Sequence, residues 1–325
     1  MTASLPREVR DVFGRFVTCE YTTVDRRGQP ITWPVNPYYE PDDICIDLST
    51  GLGNPKKAND ARANPKVALL FSDPTGCGIE DAPAVLVQGT ADVDDRDLAA
   101  NRERYAREWP RKLPGMDRML PPKPVRGLFN WYFTRIYVHV RPERVFVWPE
   151  QDFAREPQLL DSHMEEVRSG HDEEPEADPA RPAMGEPIWD ERMNQLGGDY
   201  DRPVLSLVAP DGFPFSVRVP VELDRDARLV RIEGEAIGAP LRPGLACLTA
   251  HEHGEDFSWQ RNFQVRGDLV EEDGGSWSLA PHKLVGGLEA PPVSTLQSAR
   301  MNFRKTLRFR RTAKRELRDR AERSA

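Results

Sequence analysis

Gly28-Gln-Pro-Ile-Thr-Trp-Pro-Val35 and Gly212-Phe-Pro-Phe-Ser-Val-Arg-Val219 are two copies of one short pattern. Each stretch begins with glycine, has proline at its third position and ends in valine. A glycine turn that leads into a run of apolar and β-branched residues is typical of a β-hairpin. The pattern therefore predicts the same hairpin once in each half of the chain.

The repeat extends beyond the hairpins. Residues 67–89 and 245–267 are segments of equal length, each an apolar strand, a polar loop and a strand that ends in glycine. Apolar residues at helical spacing precede both hairpins: Leu5, Val9 and Val12 before the first, Trp189, Met193 and Leu196 before the second. Two copies of one β-barrel unit explain this best. Chance similarity between common hairpin signals is the alternative.

Turn residues separate the remaining apolar runs, since the chain holds 30 prolines and 23 glycines. In the first half, β-branched and aromatic runs predict strands over residues 16–24, 31–35, 43–49, 67–71, 85–93 and 135–148. Helices are expected over residues 56–63 and 96–109, the second capped by Asp94 or Asp95. Strands should thus dominate the fold.

Length and charge exclude several classes of protein. A chain of 325 residues has room for about two domains. It contains no apolar run of the roughly 20 residues that crosses a bilayer, and its amino terminus does not resemble an export signal. We expect a cytoplasmic protein with no membrane partner. The net charge of −8 makes nucleic acid an unlikely partner of the whole protein.

Composition divides the chain into four parts. Residues 1–149 should form the first barrel domain, and residues 150–187, which are acidic and rich in proline, a linker. Residues 188–292 should form the second barrel domain, and residues 293–325 a basic amphipathic helix. We expect this helix to pack on the second barrel with its basic face in solvent. Binding to nucleic acid or to a membrane is the alternative.

Residues 49–71 hold the strongest candidate for a ligand-binding site. Ser49 and Thr50 end a strand, a glycine turn follows, and Lys56 and Lys57 begin a short helix. Hydroxyls, ammonium groups and the free N–H groups of a helix start all suit a phosphate. By residue chemistry alone, however, an ordinary exposed lysine pair explains the pattern at least as well.

This stretch resembles the flavin phosphate-binding segment of the pyridoxamine 5'-phosphate oxidase-like split-barrel family. Lys56-Lys57 stand where the family has its basic pair, and Asn64-Pro65-Lys66-Val67-Ala68-Leu69 matches its Asn-Pro-basic-Val-small-Leu run. The rest of residues 1–149 agrees with the family in the order of its elements. The resemblance implies a mainly β fold of two tandem split β-barrels with short covering helices.

The resemblance also implies a cofactor site. FMN is the expected cofactor, the deazaflavin F420 the main alternative, and haem less expected. The phosphate would lie on lysines and hydroxyls, the flavin edge along the second strand, and one glutamine would complete the pocket. The residues so implied are Lys56, Lys57, Ser49, Thr50, Thr32, Trp33, Pro34, Val35 and Gln88.

The expected function is that of an FMN-dependent oxidoreductase acting on an unidentified small organic molecule. An F420-dependent reductase and a non-catalytic flavin- or haem-binding protein are the alternatives. No side chain stands out as a catalytic acid or base. The family's Arg-Leu-His type segment, which holds pyridoxal phosphate, has no counterpart after Trp148, so the substrate is not assigned. A homodimer of chains stays open.

The second copy departs from the family at the phosphate segment. Glu233 and Glu235 stand where the lysine pair should be. Because carboxylates repel phosphate, we expect one cofactor site per chain, in the first half.

The histidines do not predict a metal site. His251 and His253 are expected in a surface loop, since no third ligand is spaced to join them. His139 lies within a predicted strand and is expected to be a core or interface residue.

Overall fold

The computed structural model describes residues 5–40, 45–113, 130–160, 186–200, 202–233, 239–288 and 295–324. Its helices are α1 Arg7–Arg15, α2 Lys56–Ala63, α3 Leu98–Lys112, α4 Asn130–Phe133 and α5 Thr295–Ser324. The strands of the first half are β1 Cys19–Val24, β2 Pro30–Val35, β3 Ile46–Gly51, β4 Lys66–Phe71, β5 Ala84–Asp94, β6 Arg135–Trp148 and β7 Gln158–Leu160. Those of the second half are β8 Val204–Val208, β9 Pro214–Arg218, β10 Val221–Asp224, β11 Leu229–Ile232, β12 Gly244–His253, β13 Gln260–Glu271 and β14 Trp277–Gly286.

Each half is built on one seven-stranded antiparallel sheet. The first sheet runs β2-β1-β4-β5-β6-β3, with β7 also paired to β6. The second runs β9-β8-β12-β13-β14-β11-β10. Strand for strand the two orders match, apart from one added edge strand in each sheet. The fold is therefore mainly β, with two tandem split β-barrels, and the repeat predicted from the sequence is present.

Local predictions for the first half agree closely with the structure. Helix α2 and strand β6 have the predicted bounds. Helix α3 begins two residues later than predicted, at Leu98. Its cap is Asp97, whose side chain accepts hydrogen bonds from the N–H groups of Ala99 and Ala100, so the choice of Asp94 or Asp95 was wrong.

The protein has two large hydrophobic cores, one centred in each half. The first core joins the apolar face of α1, which buries Val9, Val12 and Phe13, to strands β3 to β6. The second joins the strands of the second sheet, and it also takes in Trp148 from the end of β6. Because side chains of both halves share this second core, the two barrels are packed against each other.

Four hydroxyls mark the centre of the contact between the halves. Thr22 and Thr32 face each other across β1 and β2, and Ser206 and Ser216 do so across β8 and β9. The Thr22 hydroxyl lies 2.8 Å from that of Thr32 and 2.9 Å from that of Ser216. The Thr32 hydroxyl donates to Ser206 at 2.7 Å, and the two serine hydroxyls are 2.8 Å apart. Corresponding residues of the two repeats thus meet in one buried hydroxyl cluster.

The linker and the carboxyl-terminal helix differ in part from expectation. Residues 161–185 of the predicted linker lie outside the described residues, while β7, inside its predicted range, pairs with β6. The expected packing of helix α5 was on the second barrel, whereas its residues Phe309 and Ala313 pack on the first half, Ala313 within the first core. None of the described helices is long and apolar enough to cross a membrane.

Candidate functional site

The predicted phosphate segment forms the end of β3, a turn and the start of α2. The Thr50 hydroxyl donates to the carbonyl of Asn54 at 2.9 Å, so it closes the turn. The neighbouring Ser49 hydroxyl forms a hydrogen bond with Tyr38. Ser49, Thr50 and the lysine pair are therefore brought to one end of the first barrel, as the sequence predicts.

The two lysines have different surroundings. Lys56 is exposed, and its amine lies 2.9 Å from the carboxylate of Asp60, one helical turn further on, and 4.0 Å from that of Asp25. Its charge is already balanced by these two carboxylates. Lys57 is half-buried and forms no hydrogen bond or ion pair with any described residue. Only the second lysine therefore has its charge free for a ligand.

Arg135 adds a second cation beside Lys57. Burial, and after it the neighbouring Arg135 guanidinium, lower the pKa of Lys57 to about 8. Arg135 begins β6 and pairs in register with Gly51, the last residue of β3. Within the described part of the chain no carboxylate lies within ion-pair distance of Arg135. The two positive charges thus act on each other in a partly buried region, and neither has a carboxylate partner among the described residues.

Aromatic side chains hold Arg135 in place. Its guanidinium donates to the Tyr105 hydroxyl at 2.6 Å and lies 4.0 Å from the centre of that ring. The guanidinium also lies over the Tyr132 ring, 4.5 Å from its centre. The Nε atom of Arg135 is buried and has no hydrogen-bond partner. A buried donor without an acceptor costs free energy, so an anionic ligand here would relieve it.

The residues implied for the flavin edge lie on β2, next to the second half. The Thr32 carbonyl accepts hydrogen bonds from Gln264 at 2.7 Å and from the Thr249 hydroxyl at 3.2 Å. Trp33 and Pro34 are half-buried, and Val35 is buried in the first core. Thr32 thus has both its polar groups bonded to the second half, and the role of this strand toward a cofactor stays a prediction.

Gln88 also lies where the halves meet. Its amide nitrogen donates to the carbonyl of Pro214 at 2.8 Å, and its Oε1 is buried without a hydrogen-bond partner. Six of the nine implied residues therefore fall into two groups. Ser49, Thr50, Lys56 and Lys57 gather at the end of β3, whereas Thr32 and Gln88 contact the second barrel.

The second half supplies a buried arginine that sequence reasoning missed. In the repeat, Arg266 corresponds to Gln88, since each precedes the glycine that ends its aligned segment. Its Nε donates to Gln264 at 2.6 Å, and Gln264 in turn donates to Thr32. The negative charges of Asp25 and Asp60 act on it from the first half. The change from glutamine to arginine in the repeat alignment was the signal that could have found it.

The acidic turn of the second copy is only partly described. Glu233 follows β11, and its N–H donates to the carbonyl of Pro220 at 2.9 Å. Glu235 lies in residues 234–238, outside the described residues. The prediction that this turn binds no phosphate stays a prediction.

The histidine pair corrects the sequence prediction. His251 and His253 lie on β12, which is longer than its counterpart β4, and both are buried against the first half. His251 Nε2 lies 2.6 Å from the carboxylate of Glu20, and His253 Nε2 lies 3.1 Å from the Thr18 hydroxyl. They are interface residues, not loop residues.

Glu20 is the centre of this interface network. Its fully buried carboxylate also accepts hydrogen bonds from Ser72 at 2.7 Å and from Arg218 at 3.0 Å. Burial alone would raise the pKa of Glu20, but the hydrogen bond and charge of His251, with Arg218 and Ser72, outweigh burial and hold it below its ordinary value. A cavity of about 300 Å³ between the halves borders the network at Ser72, Arg218 and His251.

His139 contacts a carboxylate on the neighbouring strand. Its Nδ1 lies 2.7 Å from Asp47 of β3, whose other oxygen pairs with Arg104 of α3. The Asp47 hydrogen bond raises the pKa of His139 above its ordinary value. In the described ranges, no three His, Cys, Asp or Glu side chains are grouped to hold a metal ion.

No protein-family model and no curated protein matches the sequence. Solved structures resemble part of it. A putative pyridoxamine 5'-phosphate oxidase from Listeria innocua is 13% identical, with a TM-score of 0.30, over 43% of this chain and 94% of its own. An F420 reductase is 17% identical, with a TM-score of 0.32, over 43% and 98%. The heme storage protein HutZ from Vibrio cholerae is 16% identical, with a TM-score of 0.32, over 44% and 94%. Each of these three structures covers a little under half of this chain and more than nine-tenths of its own.

Proposed function

We propose that the first half binds the phosphate of FMN at the end of β3, and that the protein is a flavin-dependent oxidoreductase acting on a small organic molecule. One observation carries this proposal: Lys57 and Arg135 are close enough for their charges to act on each other, and neither has a carboxylate partner among the described residues. Uncompensated, partly buried cations are costly unless an anion binds between or beside them.

The residues present fit a phosphate group. Lys57 offers an ammonium group, Arg135 the unpartnered Nε of a buried guanidinium, and Ser49 a hydroxyl. Charge-assisted hydrogen bonds of this kind are stronger than those between neutral groups. Lys56 contributes less in this arrangement, because Asp60 and Asp25 already neutralise it. The site is thus centred on Lys57 rather than on the pair.

The chemistry that a bound flavin supplies is hydride transfer at its ring. In this proposal the residues of this chain bind the phosphate of the flavin. They also exclude water from the contact between the barrels. Arg266 is the second half's candidate contribution, because it is linked through Gln264 to Thr32 on the strand implied for the flavin edge. No acid or base from this chain is assigned to the reaction.

The absorption spectrum of the purified protein tests the class of cofactor. FMN, F420 and haem absorb at different wavelengths, so the spectrum separates the proposed cofactor from both alternatives. Single-turnover reduction by NADPH or a reduced deazaflavin, followed at the flavin band, then separates an enzyme from a carrier. A flavin band that no reductant changes would contradict the oxidoreductase.

Paired lysine variants test the site itself. Lys57→Ala should weaken FMN binding at least tenfold, because a charge-assisted contact contributes roughly 1.5–3 kcal/mol. Lys56→Ala, on the same helix and one residue away, is the matched control and should have a smaller effect. Unchanged FMN affinity in Lys57→Ala, with the fold intact, would refute the site.

A further inference from the structure

The carboxyl-terminal helix α5 contacts the turn on which the proposed phosphate site is built. A Cβ atom placed on Gly53 would lie 2.8 Å from the Cβ atom of Phe309, which is closer than real side chains approach. Gly53 lies between Thr50, which ends the hydroxyl pair, and Lys57. Phe309 of α5 is therefore packed directly on the backbone of this turn.

One helical turn further along, α5 enters the core that supports α2. Ala313 is only 3% exposed and belongs to the first hydrophobic core. The same core contains Ala58 and Ala61, the two buried alanines among the apolar residues of α2. The inner face of α5 thus rests on the core beneath the helix that carries Lys57.

A shared carboxylate ties the far end of α5 to the far end of α2. Arg320 of α5 lies 2.6 Å from Asp95, and Arg62, in the last turn of α2, lies 2.5 Å from the same oxygen. Arg320 is also paired with Glu316, one turn back on its own helix, at 3.0 Å. Helix α5 therefore makes two contacts around α2. Phe309 packs on the turn before α2, and Arg320 binds Asp95, the carboxylate that also pairs with Arg62 in the last turn of α2.

We propose that α5 is a positioning element for the phosphate site. By holding Gly53 through Phe309 and the end of α2 through Arg320 and Asp95, it fixes the turn and helix that place Lys57. Because α5 follows the second barrel in the chain, phosphate binding by the first barrel depends on a segment beyond the second barrel. This inference rests on the proposed function and adds a positioning element to its phosphate site.

Binding of FMN and riboflavin to full-length variants tests the inference, because riboflavin has the same ring system without the phosphate. Phe309→Ala and Arg320→Gln should lower the affinity for FMN about tenfold and leave the affinity for riboflavin unchanged. Leu317→Ala and Arg318→Gln are the matched controls on the same helix, since those side chains are 47% and 70% exposed. Both controls should bind FMN like the wild type.

Three results would overturn the inference. Equal losses for FMN and riboflavin would mean that α5 only supports the fold. Tighter FMN binding after Phe309→Ala would mean that α5 obstructs the site, and unchanged binding would mean that it has no role there. If Phe309→Ala does not fold, Arg320→Gln gives the same test, since it removes an ion pair and leaves the contacts of Phe309 and Ala313 in place.

The outcome for Lys57→Ala separates this inference from the proposed function. If Lys57→Ala weakens FMN binding and neither α5 variant does, the phosphate site stands and the role of α5 is refuted. If the wild type binds FMN no better than riboflavin, the phosphate site and the role of α5 are both refuted.

Discussion

The hydroxyls of Thr22 and Ser216 lie 2.9 Å apart, although the two residues are separated by 194 positions in the chain. Thr22 belongs to the first strand of one repeat and Ser216 to the second strand of the other. The reciprocal contact joins Thr32 to Ser206, so the first strand of each hairpin meets the second strand of the other. The tandem repeat thus forms an intramolecular counterpart of a two-fold dimer.

Removing one hydroxyl of the cluster should destabilise the contact between the halves. Thr22→Val takes a hydrogen-bond partner from Thr32 and Ser216 in a buried setting, at a cost of about 1–3 kcal/mol. Thr23→Val is the matched control, because the Thr23 hydroxyl is buried without a partner on the same strand. Urea unfolding measures both. The explanation fails if Thr22→Val costs no more than Thr23→Val.

Acid should weaken the protein through the Glu20 network. The pKa of Glu20 is lowered in the fold, so its stabilising contribution is present above its ordinary value of 4.5 and is lost as the pH falls through the lower folded value. Burial would raise the pKa of Asp73 as well, but the charges of His251, His253 and Arg218 and a hydrogen bond from Thr75 together hold it below its ordinary value. Glu20→Gln should therefore flatten the fall in unfolding free energy below pH 4.5.

Unfolding free energies measured across the acid range check this prediction. Glu80→Gln, at an exposed position, serves as the control and should leave the pH dependence as in the wild type. A Glu20→Gln variant that loses stability in acid as steeply as the wild type would show that the network does not titrate as described.

FMN binding should fall in alkaline solution. The pKa of Lys57 is lowered to about 8, so above that pH its amine is largely neutral in the free protein. Binding phosphate then requires uptake of a proton, and the affinity should fall by up to about tenfold per pH unit. Lys57→Arg should remove this dependence, because a guanidinium stays charged. FMN titrations from pH 6.5 to 9.5 measure it, and equal slopes for both proteins would contradict the assignment.

The sequence predicts the fold well because its signals are local. Glycine turns, alternating apolar residues and the repeat of Gly28 at Gly212 define the hairpins, and tertiary contacts do not override them. Helix α2 is predicted with its observed bounds for the same reason. The proximity of Ser49, Thr50 and the lysine pair can also be predicted, because these residues are close together in the chain.

Contacts between distant residues are what the sequence does not predict. Arg135 reaches the site because β6 pairs in register with β3, and Asp25 approaches Lys56 only through the fold. His251 and His253 stand in a polar stretch typical of a loop, but β12 continues through them in register with β13, and the first half covers them. Pairing register and the packing of the halves decide these positions.

The stoichiometry and phosphate dependence of flavin binding test the central claim most directly. Calorimetric titration of the full-length protein with FMN should give one equivalent per chain, with riboflavin bound at least tenfold more weakly. This result follows if Lys57 and Arg135 form the phosphate site and the second barrel has none. Two equivalents of FMN per chain, or equal affinity for FMN and riboflavin, would contradict the account.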